Sequence, residues 1–182
     1  MTAAPPLSVA DLRLLKEAKA GNPEAVQGLW VRVASSCWSV LAPLVHRAVG
    51  LEHMVSLRRA LEADLRSFAG VDWREPVYER LWHLLWNSLQ LPPLGGIDRG
   101  NWPKHDLNTL LSGATRADEA RTRIRAALGA APLELQVIHL FDLFTTCTAA
   151  QLARYAEVDE GLIREARTAV TYHLVAATRE PA

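Results

Sequence analysis

Arg154, Arg164, Arg167, Thr168 and Thr171 are the side chains of this sequence best suited to chemistry. The chemistry is non-covalent. A guanidinium neutralises phosphate and can donate two parallel hydrogen bonds to the O6 and N7 edge of guanine, and a hydroxyl can bond a phosphate oxygen. Arg164 and Arg167 stand one helical turn apart. With Thr168 and Thr171 they lie off the apolar stripe of Leu162, Ile163, Ala166, Val170 and Leu174, so they would face outward, toward a groove.

Other chemistries find little support. There is no Gly-x-Ser-x-Gly, no glycine loop for phosphates and no paired acidic motif, so the chain is not expected to be an enzyme or to carry a cofactor. The six histidines form no ligand spacing: His46 and His53 straddle Gly50, and His83, His105, His139 and His173 stand apart, so no metal site is expected. Among the tryptophans, Trp30 with Trp38 and Trp82 with Trp86 share helix faces and read as core. Trp73 follows Gly70-Val71-Asp72 in a loop and reads as the more exposed one, available to a base or a protein.

The elements that must position these groups are helical throughout. Ser8 caps a first helix with Leu12, Leu15 and Ala18 inward. Gly21-Asn22-Pro23 is a turn, and Pro23 opens the next helix. Apolar residues at helical spacing then run from Ala25 to about Val49, with a kink expected at Pro43 and a stop at Gly50. Further helices are predicted over 52–68 and 76–89. Residues 91–113, rich in proline and glycine, mark a boundary. Beyond it, Pro132 opens a helix carrying Leu135, Val137, Ile138, Leu140, Phe141 and Phe144. Residues 146–148 break that helix, and a short one spans 149–156. Glu157-Val158-Asp159 make a tight turn, and Asp159 caps the last helix. The expected fold is all-α, with two small helical domains at 8–89 and 114–178, a linker over 90–113, and a helix-turn-helix in the second domain.

The C-terminal part resembles the promoter-reading domain of the extracytoplasmic-function sigma factors. The family's pattern of Leu-Pro, a later Arg, Leu-Ser, Glu-Ile-Ala, Leu-Gly-Ile-Ser and Gly-Thr-Val is followed without a gap. Here it reads Ala131-Pro132, Gln136, Cys147-Thr148, Gln151-Leu152-Ala153, Ala156-Glu157-Val158-Asp159 and Gly161-Leu162-Ile163-Arg164. Where the family's turn has glycine this chain has Glu157, so either the turn differs or Glu157 takes a left-handed backbone at a cost of about 1 kcal/mol. Of the family's basic run Arg164 remains, while Glu165, Ala166 and Ala169 occupy the rest.

The N-terminal half is similar to the family's polymerase-binding domain. Residues 12–30 look like its opening helix pair, residues 51–68 like its Ala-Glu-Asp-Leu-Val-Gln helix, and residues 76–87 like the segment ending in Ile-Ala-Arg-Asn. His53 and Ser56 replace acidic and amide residues. The resemblance implies that the helix over 52–68 grips RNA polymerase. Arg58, Arg59, Glu62 and Arg66 are its outward residues if Val55, Leu61 and Leu65 pack inward. It also implies that the linker threads the polymerase cleft; a passive connector onto which Trp102 docks is the plainer reading.

Charge tempers the DNA reading. The whole chain balances 20 basic against 20 acidic residues. Residues 116–182 hold eight Arg, no Lys and nine Asp or Glu, so phosphate neutralisation is expected to be weak. The first fifteen residues lack the basic and apolar regions of a signal peptide, and no apolar run is long enough to cross a membrane. With Cys37 and Cys147 expected as reduced thiols in separate domains, a cytoplasmic protein is predicted. Two functions compete. One is a divergent sigma-like transcription factor binding the RNA polymerase core and promoter DNA. The other is a sigma-fold interaction module that has lost DNA reading and binds an anti-sigma protein, polymerase or another partner.

Overall fold

The computed structural model describes residues 8–66, 68, 72–97, 99–102 and 131–177, of which 101 and 170–177 by their backbone alone. Seven α-helices and no strand occur among them, so the fold is all-α. The helices are α1 (Val9–Lys19), α2 (Pro23–Leu41), α3 (Arg47–Asp64), α4 (Glu75–Ser88), α5 (Leu133–Phe144), α6 (Ala149–Tyr155) and α7 (Glu160–Ala177). The chain divides into two compact units: Met1–Gln90 with Leu140–Thr148, and Leu91–His139 with Ala149–Ala182.

In the first unit α1 packs on α2, α2 on α3 and α4, and α3 on α4. Ser8 and Asp11 form a reciprocal capping box that opens α1, and Asn22 caps α2 through its side-chain oxygen, each satisfying amides that the first turn leaves without partners. Leu15 and Ala18 turn inward, but Leu12 is 52% exposed. Asp11 pairs with Arg32, tying α1 to α2.

The long helix expected to Val49 is two helices. α2 closes at Leu41 and α3 starts at Arg47. Proline lacks an amide hydrogen and its ring crowds the carbonyl four residues back, so Pro43 sits in the turn between them rather than at a kink. His46 caps the restart, its Nδ1 accepting from the Ala48 amide at 3.3 Å. Gly50 therefore lies inside α3, where it is buried, and not at a helix end.

The core of this unit is aliphatic and tryptophan-rich. Leu29, Val33, Cys37, Val40 and Leu41 of α2 are buried, as are Leu57 and Leu61 of α3, and Val77, Leu81 and Leu85 of α4. Trp82 stacks on Trp86 at 4.6 Å between ring centroids, and meets the edge of Phe141 at 5.4 Å. Both geometries are ones that aromatic quadrupoles favour. Arg80 holds Asp64 with two hydrogen bonds, and His53 bonds Ser88 at 2.7 Å, so two polar clasps join α3 to α4.

Cys37 and Cys147 are both buried, and neither is in a disulfide among the described residues. They fall in the same unit, since residues 140–148 group with the N-terminal part rather than with the rest of the C-terminal segment. Burial, and next the neighbouring Cys147, push the Cys37 thiol up to about 12.

In the second unit α6 packs on α7. Buried Gln136 donates to the Ala131 carbonyl at 2.7 Å and so fastens the start of α5. Leu135, Val137 and Ile138 are buried there. Toward the end of α5, in the first unit, Leu140 and Phe141 are buried, but Phe144 is 41% exposed and not part of the inner face. Among the described residues no helix is long and apolar enough to cross a membrane.

Candidate functional site

The turn from α6 into α7 decides where the outward side chains of α7 stand. After Tyr155 the Glu157 amide donates to the Arg154 carbonyl at 3.3 Å, and the Val158 amide donates to the Ala153 carbonyl at 2.9 Å. These two bonds define a Schellman motif, with Glu157 at the position that needs a left-handed backbone. Its φ is +54°. Of the two alternatives raised by the missing glycine, the chain adopts the left-handed one. Asp159 then accepts from the Gly161 amide at 2.7 Å and starts α7, as its acidic side chain at a helix N-terminus favours.

On α7, Ile163, Ala166 and Ala169 are buried. The opposite side carries Gly161, Arg164, Glu165 and Thr168, all exposed. Arg164 is engaged by Glu160 through two hydrogen bonds, at 2.8 and 3.2 Å. Thr168 donates its hydroxyl to the Arg164 carbonyl at 2.9 Å, so that proton is already used within the helix. Arg167 is half-buried. Thr171 lies on α7, but its side chain is outside the described residues. Arg154, on α6, is exposed and its guanidinium lies 5.6 Å from the Tyr155 ring centroid, within cation–π range. The structure thus places Arg164 and Thr168 on one face, with Arg154 on the preceding helix. The balance of Arg154, Arg164 and Arg167 against Glu160 and Glu165 is already legible in the sequence; the structure adds the pairs, Glu160 with Arg164 and the linker residue Arg99 with Glu165 at 3.2 Å.

The second candidate surface is α3, which ends at Asp64 and not at Phe68 as expected, so Arg66 lies in the turn after it. Arg58, Arg59, Glu62 and Arg66 are all exposed, with Arg58 paired to Glu62 at 3.2 Å. The inward stripe of α3 is Leu57 and Leu61, continued by Leu65 at its C-cap. Val55 does not join it, being 51% exposed. The reason is helical phase: Val55 is two residues before Leu57, about 200° around the axis. Together with Leu51, Glu52, Ser56 and Arg59 it forms a shallow, open patch on one face of α3. The surface is therefore apolar at its N-terminal end and charged toward Arg66.

Trp73 is not an exposed aromatic. It is 2% exposed, held in place where Arg74 pairs with Asp72 at 2.8 Å. The cleft it borders, with Leu61, Leu65 and Val77, holds about 10 Å³, one water at most. A nucleic-acid base does not fit there. Trp102 is buried as well. No group of three or more His, Cys, Asp or Glu among the described residues could hold a metal ion.

No protein-family model and no curated protein matches the sequence.

Proposed function

We propose that this chain is a divergent sigma-like transcription factor, an adaptor without catalysis that binds the RNA polymerase core through α3 and promoter DNA weakly through α7. The observation that carries this reading is the α6–α7 turn. Glu157 takes a left-handed backbone at the place where the resembled family has glycine, and a turn of this kind between two helices is what a helix-turn-helix reading requires. Arg164, Arg167, Thr168 and Thr171, with Arg154, are the DNA-facing residues of this reading. Arg58, Arg59, Glu62 and Arg66 with the Val55 patch are its polymerase-facing ones.

A second reading has its own support. On the outer face of α7, Arg164 is paired with Glu160, and Glu165 is paired with Arg99. That face is neutral by internal pairing, which favours a protein-binding module, with an anti-sigma protein or polymerase as partner, over a DNA reader.

Co-purification on the tagged chain separates the two. The sigma-like reading expects polymerase subunits to be captured, and capture to be lost in an Arg58→Glu/Arg59→Glu variant that keeps its helical circular dichroism. It also expects duplex DNA to bind at low salt, and binding to weaken about tenfold or more in Arg164→Glu, which reverses a charge contacting phosphate or base. Capture of polymerase with no DNA binding at low salt would decide for the interaction module.

A further inference from the structure

The segment after α4 reads as a linker, yet part of it belongs to the second unit. It makes two 3₁₀ turns, Leu94–Gly96 and Arg99–Asn101. Leu94 and Trp102 are 1% and 3% exposed, so both ends of the segment are anchored by apolar burial. Between them it meets the α6–α7 region twice. Gly95 stands against the turn, where a Cβ on it would touch Val158 Cγ1 at 3.7 Å. Arg99 Nη1 reaches Glu165 Oε2 at 3.2 Å. Glu165 is one residue, about 100° of helix, from Arg164 and about 60° from Thr168, which places the Arg99 contact at the edge of the outer face of α7.

We propose that residues 94–97 and 99–102 form a strap that closes over the edge of the DNA-facing surface, and that a duplex binds fully only after the strap is released. This rests on the reading of α7 as a DNA-facing helix. The physical logic is competition for one edge. A duplex seated on α7 brings its phosphates to the rim of the outer face, which the Arg99 side chain reaches, with Gly95 beside the preceding turn. The buried Leu94 and Trp102 supply the hold, while the exposed Arg99–Glu165 pair, with both side chains more than half exposed, is the weak and reversible closure. A partner with carboxylates that takes Arg99 away, or a protein that engages residues 94–102, would open it.

The test uses the full chain and two readouts. Hydrogen exchange of the peptides covering residues 94–102 reports closure directly. In Arg99→Glu, which faces Glu165 with a like charge, these amides should exchange several-fold faster, and the swapped variant Arg99→Glu/Glu165→Arg should restore slow exchange. Unchanged exchange in Arg99→Glu overturns the strap. Binding of a random-sequence duplex at low salt reports masking. The variant Leu94→Ala removes an apolar anchor of the strap and changes no charge, so electrostatics alone predicts no change; the strap predicts binding several-fold tighter. If the strap opens and the duplex binds no tighter, the masking role falls and the DNA-facing reading of α7 stands. If it opens and neither parent nor variants bind any duplex, both fall together.

Discussion

The Val158 amide donates to the Ala153 carbonyl at 2.9 Å, and the same bond closes α1, where the Asn22 amide donates to the Glu17 carbonyl at 3.1 Å. Two helix ends thus use one motif with different residues at its left-handed position. Gly21 takes it with φ +90° and Glu157 with φ +54°. Glycine pays no steric cost there, while a side chain costs about 1–2 kcal/mol, partly offset by the greater chain entropy that glycine loses on folding. Glu157→Gly should therefore raise stability by about 0.5 kcal/mol, and Gly21→Ala should lower it by about 1 kcal/mol although open space surrounds that position. Urea unfolding of the two variants measures both, and a destabilised Glu157→Gly would refute the strain argument.

A second prediction concerns Gly50. A Cβ there would stand 3.1 Å from Trp38 Cζ3 and 3.5 Å from Val45 Cγ2. Alanine would gain about 1 kcal/mol of helix propensity and spend it on that tight contact, so Gly50→Ala should be close to neutral. Valine adds two methyls toward the same ring and should destabilise by about 2 kcal/mol through overpacking. Equal unfolding midpoints for the two variants would mean that Trp38 yields freely and that the glycine is not a packing device.

How much of this was readable in advance differs by residue, and the physics explains why. Helical periodicity revealed the all-α class, the Ser8 and Pro23 starts and the α6–α7 turn, because these depend on neighbours within one or two turns. Gly50 read as a helix end since glycine is a common terminator; its actual role needs Trp38, which another helix supplies. Val55 read as inward because it is apolar, but its phase, about 200° from Leu57, sets it away from the side of α3 that packs on α2 and α4. Trp73 sits among loop-forming residues, so its burial has no local signature. Arg99 and Glu165 lie 66 residues apart, and a proline- and glycine-rich stretch gives no hint of where it docks. The charge balance around α7 was legible, but its arrangement into specific pairs was not.

The third prediction uses the buried thiol. Cys37 is raised from 9.0 to about 12, mainly by burial, and Tyr78 is raised from 10.0 to about 12, again chiefly by burial. Each folded-state value lies above its unfolded one, so the neutral forms contribute stability that is complete below pH 9. That contribution is lost as pH rises from 9.0 toward about 12, where the unfolded chain ionises and the folded one does not. The denaturation midpoint should fall across this window, less steeply in Cys37→Ala. At pH 8 iodoacetamide should spare Cys37 in the folded chain and modify it in urea, since the thiolate is the reactive form. Rapid modification in the folded chain would show that Cys37 is open to solvent.

The last prediction returns to α3. Val55 and Leu51 are each about half exposed, on the same side of the helix as Arg59. An exposed apolar pair beside an arginine suits a partner helix that offers its own apolar stripe and a carboxylate. If the polymerase core docks here, Val55→Asp should cut capture by the tagged chain about tenfold or more, because a buried interfacial contact is replaced by a desolvated charge. The same change should leave the helical circular dichroism intact and shift the unfolding free energy by only about 0.5 kcal/mol, since a half-exposed side chain contributes little to the core. The comparison with Arg59→Glu then sorts the forces: a loss confined to Val55→Asp marks an apolar contact, while equal losses mark one continuous patch. Full capture by both variants would remove this face from the proposal, and no capture by the parent chain would end the polymerase reading altogether.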